Sequence, residues 1–184
     1  MNTGQTMITV LALALLSVIT MRYYDTVGQS GRTLSKMGAG FTATTIATSV
    51  LEQVENCAFD AYSDTANSAL DSTRFTKPDK LGLEAGDPPK WDWKHYDDVD
   101  DFNNDTIPIT PGWMNEVYLV ALQVYYVNPY GNIETKIRGS SDKATYVKRI
   151  DVKVWRSVPK LDSAEVFDTV QVSNLHGYFF YNPM

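Results

Sequence analysis

From Met7 to Met21 the chain reads MITVLALALLSVITM, an apolar run interrupted by Thr9, Ser17 and Thr20, and the first charge is Arg22. Leu, Ala and Met favour helix. A helix crossing a hydrocarbon core of about 30 Å takes about 20 residues, and the uncharged flank from Gly4 brings this segment close to that length. No Lys or Arg precedes the run and no small-residue cleavage site follows it, so an ordinary secretory signal is disfavoured. Arg22-Tyr23-Tyr24-Asp25 suits a membrane–water boundary, where aromatic rings and an Arg stem are both accommodated. Three fates remain for the run: a discarded signal, a membrane anchor, or a helix buried among copies of itself.

The apolar pattern then changes period. Gly40, Ala43, Ala47, Val50, Val54 and Cys57 recur at spacings of three and four, widened by Ile46 and Leu51. This predicts an amphipathic helix packed along one face. Between the two stretches, Gly28, Gly31, Gly38 and Gly40 each weaken helix by about 1 kcal/mol relative to Ala. They read as a partly melted or bent segment, chiefly at Gly28 and Gly31, or as small surfaces for close helix approach. A nearly continuous helix from Gln5 to Cys57 would be roughly 80 Å long at about 1.5 Å per residue, more than the remaining domain could cover.

Residues 58–112 read as irregular, with Pro88-Pro89 and the acidic run Asp97-Asp98-Val99-Asp100-Asp101. Trp91, Trp93, Tyr96 and Phe102 interleave with that run and should pack the loop down through their rings. Strands follow: Glu116–Val127, then Ala144–Ser157 with Ile150, Val152 and Val154 alternating against Arg149, Asp151 and Lys153, then Glu165–Val172. The tail His176-Gly177-Tyr178-Phe179-Phe180-Tyr181 is read as an edge strand or as packing on the sheet or a neighbour. The expected fold class is α+β. It has a long N-terminal helix (1–57) packed through its C-terminal half on an antiparallel β-rich head (58–184) with an irregular acidic loop at about 58–112.

Charge sharpens this division. Of 16 basic and 22 acidic residues, the first 57 hold Arg22, Arg32 and Lys36 against Asp25, Glu52 and Glu55, so the whole net charge of −6 belongs to the head. That balance disfavours nucleic acid as a partner. Cys57 is the single cysteine, which excludes an intrachain disulfide, and His95 and His176 are far apart in sequence. No nucleophile–base pattern, phosphate loop or zinc spacing is visible, so no enzyme is expected. Asp97, Asp98, Asp100 and Asp101, with Asn103 and Asp105, place oxygen donors at short spacing, the donor type that holds Ca²⁺. The spacing is not that of an EF-hand, and a solvated loop whose carboxylates cap backbone amides is the more ordinary reading of the same residues. Ca²⁺ is the one cofactor considered. Asn104-Asp105-Thr106 also matches the N-glycosylation sequon.

Three stretches together resemble the type IV pilin superfamily. Gly4-Gln5-Thr6-Met7-Ile8-Thr9 ahead of the apolar run is similar to the family's processing site and first helical turn. Ala43 to Phe59, with its alanines leading into Leu51-Glu52, is similar to the end of the long helix in minor pilins and pseudopilins. Tyr96-Asp97-Asp98-Val99-Asp100-Asp101-Phe102 resembles a segment of mannose-sensitive haemagglutinin-type minor pilins. The resemblance implies an extracellular helical filament, a homo-polymer of identical subunits delivered from the inner membrane by a pilus assembly machinery. Met7, Ile8, Val10, Leu11, Leu13, Leu15, Leu16, Val18 and Ile19 would form its core, and Gly4, Gln5, Thr6 and Thr9 its assembly end. A minor or tip subunit, a pseudopilin of a secretion system, and a membrane-anchored surface-binding domain are the alternatives. Two positions depart from the family. Thr9 stands where a glutamate usually pairs with a neighbour's N-terminal amine, and Gln5 stands where Phe is usual. Met1-Asn2-Thr3 also lacks the basic residues of a leader, so either Met1 is the mature start or subunits assemble without processing at Gly4.

Overall fold

The structure is a computed structural model and describes residues 3–64, 71–84, 87–112, 116–158 and 169–179. The chain divides into two compact units, Met1–Ala39 and Gly40–Met184. One helix, α1 (Thr3–Glu55), supplies all described residues of the first unit and enters the second.

Helix α1 runs through Gly28 and Gly31 without interruption, which corrects the expectation of a partly melted stretch there. Two glycines cost about 2 kcal/mol of helix propensity, whereas a break would forfeit several backbone hydrogen bonds, and no proline is present to force one. A Cβ at either glycine would meet nothing within 4 Å, so neither accommodates a close approach inside this chain.

The head is built on an antiparallel four-stranded sheet in the order β1-β2-β3-β4. Its strands are β1 (Thr106–Ile109), β2 (Val117–Tyr126), β3 (Val147–Val158) and β4 (Val170–Gly177). Register sets Val120 opposite Val154, Leu122 opposite Val152 and Val124 opposite Ile150, all buried on one face. The C-terminal stretch of α1 covers that face with Ala43, Ile46, Ala47, Val50, Leu51 and Val54. The small Ala43 and Ala47 let helix and sheet approach closely, while burial of each Val, Ile or Leu side chain stabilises by about 1.5–3 kcal/mol. The α+β architecture expected from the residue pattern is therefore present.

Two strands differ from the reading of the sequence. β1 lies within the stretch taken as irregular. It has only four residues and includes Pro108, which cannot donate to a ladder and is tolerated because β1 is an edge. The last strand was placed at Glu165–Val172 but spans Val170–Gly177; residues 165–168 lie outside the described residues. The polar Ser173-Asn174 reads as a strand end, yet Asn174 sits opposite Ile150 and its Nδ2 donates to Oε1 of Glu55 on α1. In the tail, His176 and Gly177 complete β4, and the Tyr178 amide donates to the Tyr146 carbonyl at 2.9 Å. The Tyr178 ring packs on Phe59, Phe75 and Tyr146. Phe180 and Tyr181 lie outside the described residues.

Candidate functional site

Two places combine unusual chemistry with unusual exposure, and the first is the apolar start of α1. Met7, Ile8, Val10, Leu11, Leu13, Leu15, Leu16, Val18 and Ile19 are 57–77 % exposed. At about 100° per residue these positions leave no side of the helix polar. An 18-residue window reaches a mean hydropathy of 1.8 with none of it buried, so the helix is long and apolar enough to cross a membrane. Its few hydroxyls are turned back onto the helix. Thr6 donates to the Thr3 carbonyl at 2.9 Å, Thr9 to Gln5 at 2.7 Å, Ser17 to Leu13 at 2.9 Å and Thr20 to Leu16 at 2.7 Å. Each hydroxyl proton is thereby satisfied without water, the condition set by lipid or by an apolar bundle. Gly4 and Gln5 lie in the first turns of the same helix and are exposed.

The second place is the acidic loop. Tyr96, Val99 and Phe102 anchor it in the core, with Tyr96 and Phe102 meeting edge to face at 4.9 Å. The side chain of Trp91 lies outside the described residues, while Trp93 packs partly buried against the core. The segment just after α1 clasps the loop: Ala58 donates to the Asp97 carbonyl and Val99 to the Ala58 carbonyl, both at 3.0 Å. Asn103 braces it to the sheet, donating to the Leu81 carbonyl at 3.0 Å and accepting from Val124 N at 3.1 Å. Asp105 is a capping carboxylate, accepting from Tyr96 Oη at 3.1 Å and Thr106 N at 2.8 Å.

These anchors drive the acidic side chains inward. Asp98, Asp100 and Asp101 are all buried, whereas Asp97 turns its carboxylate to solvent and joins the network only through its backbone amide, which donates to Asp101 Oδ2 at 3.3 Å. Asp98 Oδ1 accepts from the amides of Asp100 at 2.8 Å and Asp101 at 3.2 Å. Lys148, fully buried on β3, donates to Asp100 Oδ1 and to the Phe59 carbonyl and pairs with Asp60 Oδ2 at 3.5 Å. Asp60 is otherwise well served, accepting from Thr76 N at 2.8 Å and Tyr62 N at 3.2 Å.

Two acidic residues that the sequence reading did not single out complete the cluster. Carboxylate oxygens of Glu84, Asp98 and Asp100 lie within 4.8 Å of one another, as do those of Glu84, Asp87 and Asp101. Of the four aspartates suggested as metal ligands, the fold thus groups Asp98 and Asp100 with Glu84, groups Asp101 with Glu84 and Asp87, and leaves Asp97 outside. Burial, reinforced by the Asp100 charge, pushes the Asp98 carboxyl up to about 7. Burial, with the charges of Asp98 and Asp87, pushes Asp101 up to about 8. Glu84 rises to about 7 for the same first reason, with Asp98 the next cause. Asp100 is raised by burial against the pull of Lys148.

The remaining candidate groups have structural surroundings. Burial, then the charge of Asp98, pushes the Cys57 thiol up to about 11, which leaves it protonated and unreactive at neutral pH. His95 Nδ1 lies 2.7 Å from Asp92 at the surface, and His176 stacks on Phe59 with centroids 6.0 Å apart. Comparison with known protein families, with curated proteins and with solved structures finds no match to this chain.

Proposed function

We propose that this chain is a structural subunit of an extracellular filament of the type IV pilus kind. Its apolar N-terminal helices bundle in the core and its acidic heads face solvent. The observation that carries the reading is the start of α1, apolar on every side from Met7 to Ile19 and exposed among the described residues. Such a surface needs lipid or other protein around it. At about 1.5–3 kcal/mol for each large apolar side chain buried, a bundle of such helices gains enough to hold subunits together, and repetition along the filament multiplies the effect. The α+β architecture and the three resembling stretches point the same way. Before assembly the helix would sit in the inner membrane, and a pilus assembly machinery would extract it; neither nucleic acid nor catalysis enters this reading.

The likeness of Tyr96–Phe102 to minor-pilin segments favours a second reading, a minor or tip subunit or a pseudopilin present in few copies. Negative-stain electron microscopy and mass spectrometry of surface material sheared from producing cells separate the cases. Filaments composed mainly of this chain support the first reading. Filaments containing it at a few copies each support the second. Recovery only with membranes, without filaments, refutes both and leaves a membrane-anchored surface domain.

A further inference from the structure

The buried carboxylates of the head are short of positive charge. Asp60, Asp98, Asp100 and Asp101 are at most 2 % exposed, and Glu84 and Asp87 close the cluster from its more open side. Lys148 is the cation they meet among the described residues. An ammonium has three donors, and those of Lys148 go to Asp100 Oδ1, Asp60 Oδ2 and the Phe59 carbonyl. Nothing of it is left for Asp98, Asp101, Glu84 or Asp87.

The hydrogen-bond pattern shows where the deficit falls. Asp98 Oδ2, Asp100 Oδ2 and Asp101 Oδ1 are buried and have no hydrogen-bond partner. The opposite oxygen of each is engaged: Asp98 Oδ1 by two amides, Asp100 Oδ1 by Lys148, Asp101 Oδ2 by the Asp97 amide. Each aspartate is therefore oriented by one oxygen and holds the other bare. A buried acceptor left unpaired is destabilising, and more so when charged, so these bare oxygens call for a partner. Glu84 belongs to both groupings and is itself positioned, its Oε1 accepting from Thr76 Oγ1 at 3.2 Å.

We propose that the head binds a divalent cation, Ca²⁺, between Glu84, Asp98 and Asp100, with Asp87 and Asp101, which group with the same Glu84, beside it. Oxygens within 4.8 Å of one another can share one ion at about 2.4 Å from each, the Ca²⁺–oxygen distance. All-oxygen donors on an irregular loop suit the 6–8 ligands and loose geometry of Ca²⁺, with water completing the shell. The ion would tie the Glu84–Asp87 segment to the acidic loop and, through Asp100 and Lys148, to β3. Its role is structural. The competing account is that protons neutralise the cluster, Asp98 and Asp100 sharing one.

The test uses the full chain in detergent, stripped with EDTA and held at pH 7.5, with the metal ion alone as probe. Equilibrium dialysis against ⁴⁵Ca²⁺ should give about one bound ion per chain. At 10 mM CaCl₂ and an affinity of about 0.1 mM, in the range of extracellular modules, near-UV circular dichroism should show a thermal midpoint raised by roughly 5–10 °C. E84Q should bind at least about tenfold more weakly, because affinity follows the number of ligand charges, and D97N should bind as the parent chain does. If E84Q fails to fold, D98N is read in its place. Absence of bound Ca²⁺ at 10 mM, an unmoved midpoint, or unchanged binding in the variant overturns the site in favour of protons. An equal response to MgCl₂ overturns its assignment to Ca²⁺.

Discussion

Replacing Lys148 by Met tests whether the acidic cluster is tied to the sheet as the geometry indicates. Methionine retains most of the aliphatic stem and removes the ammonium, so the effect is largely one of charge. The ammonium lies fully buried, bonded to Asp100 and the Phe59 carbonyl, 3.5 Å from Asp60, and 4.6 Å from the Phe59 ring centroid. Removing one partner of a buried ion pair costs about 3–5 kcal/mol, because the remaining charge loses its compensation. The Phe59 carbonyl loses a donor in the same event, and Asp100 can take up a proton, which limits the total; about 4 kcal/mol is expected. For a domain of this size that corresponds to a midpoint lowered by roughly 8–16 °C, at about 2–4 °C per kcal/mol. Near-UV circular dichroism of the EDTA-treated full chain in detergent is the assay, since the 53 residues of α1 dominate the far-UV signal. The deficit should shrink at pH 5, where Asp100 is protonated more readily, and Asp100→Asn added to K148M should recover part of it. A fall of less than about 3 °C, or a deficit unchanged between pH 7.5 and pH 5, would falsify the argument.

Leu13→Asp places a charge in the middle of the apolar run and should reduce membrane insertion by about 3 kcal/mol, at least a hundredfold in partition. Filaments should be absent from sheared material, while the head's near-UV transition stays within 2 °C or so of the parent value, because Leu13 belongs to the other compact unit; normal filaments carrying the variant would contradict the core assignment. In EDTA, the head should lose stability as pH rises from 5 to 8. The carboxyls of Asp98, Asp101 and Glu84 are raised to about 7, 8 and 7, so across this window the folded head binds protons that the unfolded chain has released. One pKa unit is worth about 1.4 kcal/mol, and the three units on fully buried Asp98 set an upper bound of about 4 kcal/mol from that residue. His176, lowered by burial, acts in the opposite direction below its ordinary value but is a single partly buried group. Ca²⁺ should oppose the loss increasingly with pH, because its ligands must be deprotonated; a midpoint in EDTA that climbs from pH 5 to pH 8 would count against the cluster as described.

The parts of the fold that were legible in the sequence are those set by local periodicity. The three-and-four stripe from Ala43 to Val54 marks the buried face of α1, and the alternation of Ile150, Val152 and Val154 marks the inner face of β3. What periodicity missed depends on partners remote in sequence. β1 is too short to announce itself and carries Pro108, and its pairing with Val120 and Ala121 supplies what its residues lack. Glu84 and Asp87 carry no local sign of joining Asp98 and Asp101. Lys148 did carry one: it sits on the same parity as Ile150, Val152 and Val154, so a charge was facing the core and needed a carboxylate opposite it. The acidic run identified the chemistry of the site but not its geometry. Asp97 is as acidic as its neighbours, and only the Ala58 clasp decides that its side chain turns outward.

The start of α1 bears on what the proposed assembly could rely on, since Thr9 stands where the pilins it resembles usually carry a glutamate. Thr9 holds that position, and its hydroxyl is spent on the Gln5 carbonyl at 2.7 Å. No residue from Gly4 to Met21 is charged. A helix bundle made from this surface therefore contains no ion pair for salt to screen, and apolar burial strengthens rather than weakens in excluded salts such as sulfate. The heads carry the whole net charge of −6, and their mutual repulsion is what added salt reduces, the screening length falling from about 30 Å at 0.01 M to about 3 Å at 1 M. Filaments of the proposed kind should consequently persist, or be recovered in greater mass, as NaCl rises from 0.01 M to 1 M. Sedimentation of sheared filaments followed by quantitation of the chain in pellet and supernatant measures this directly. Release of subunits by 1 M NaCl would mean that a charged contact holds the polymer, and the bundling of apolar helices would no longer be its principal bond.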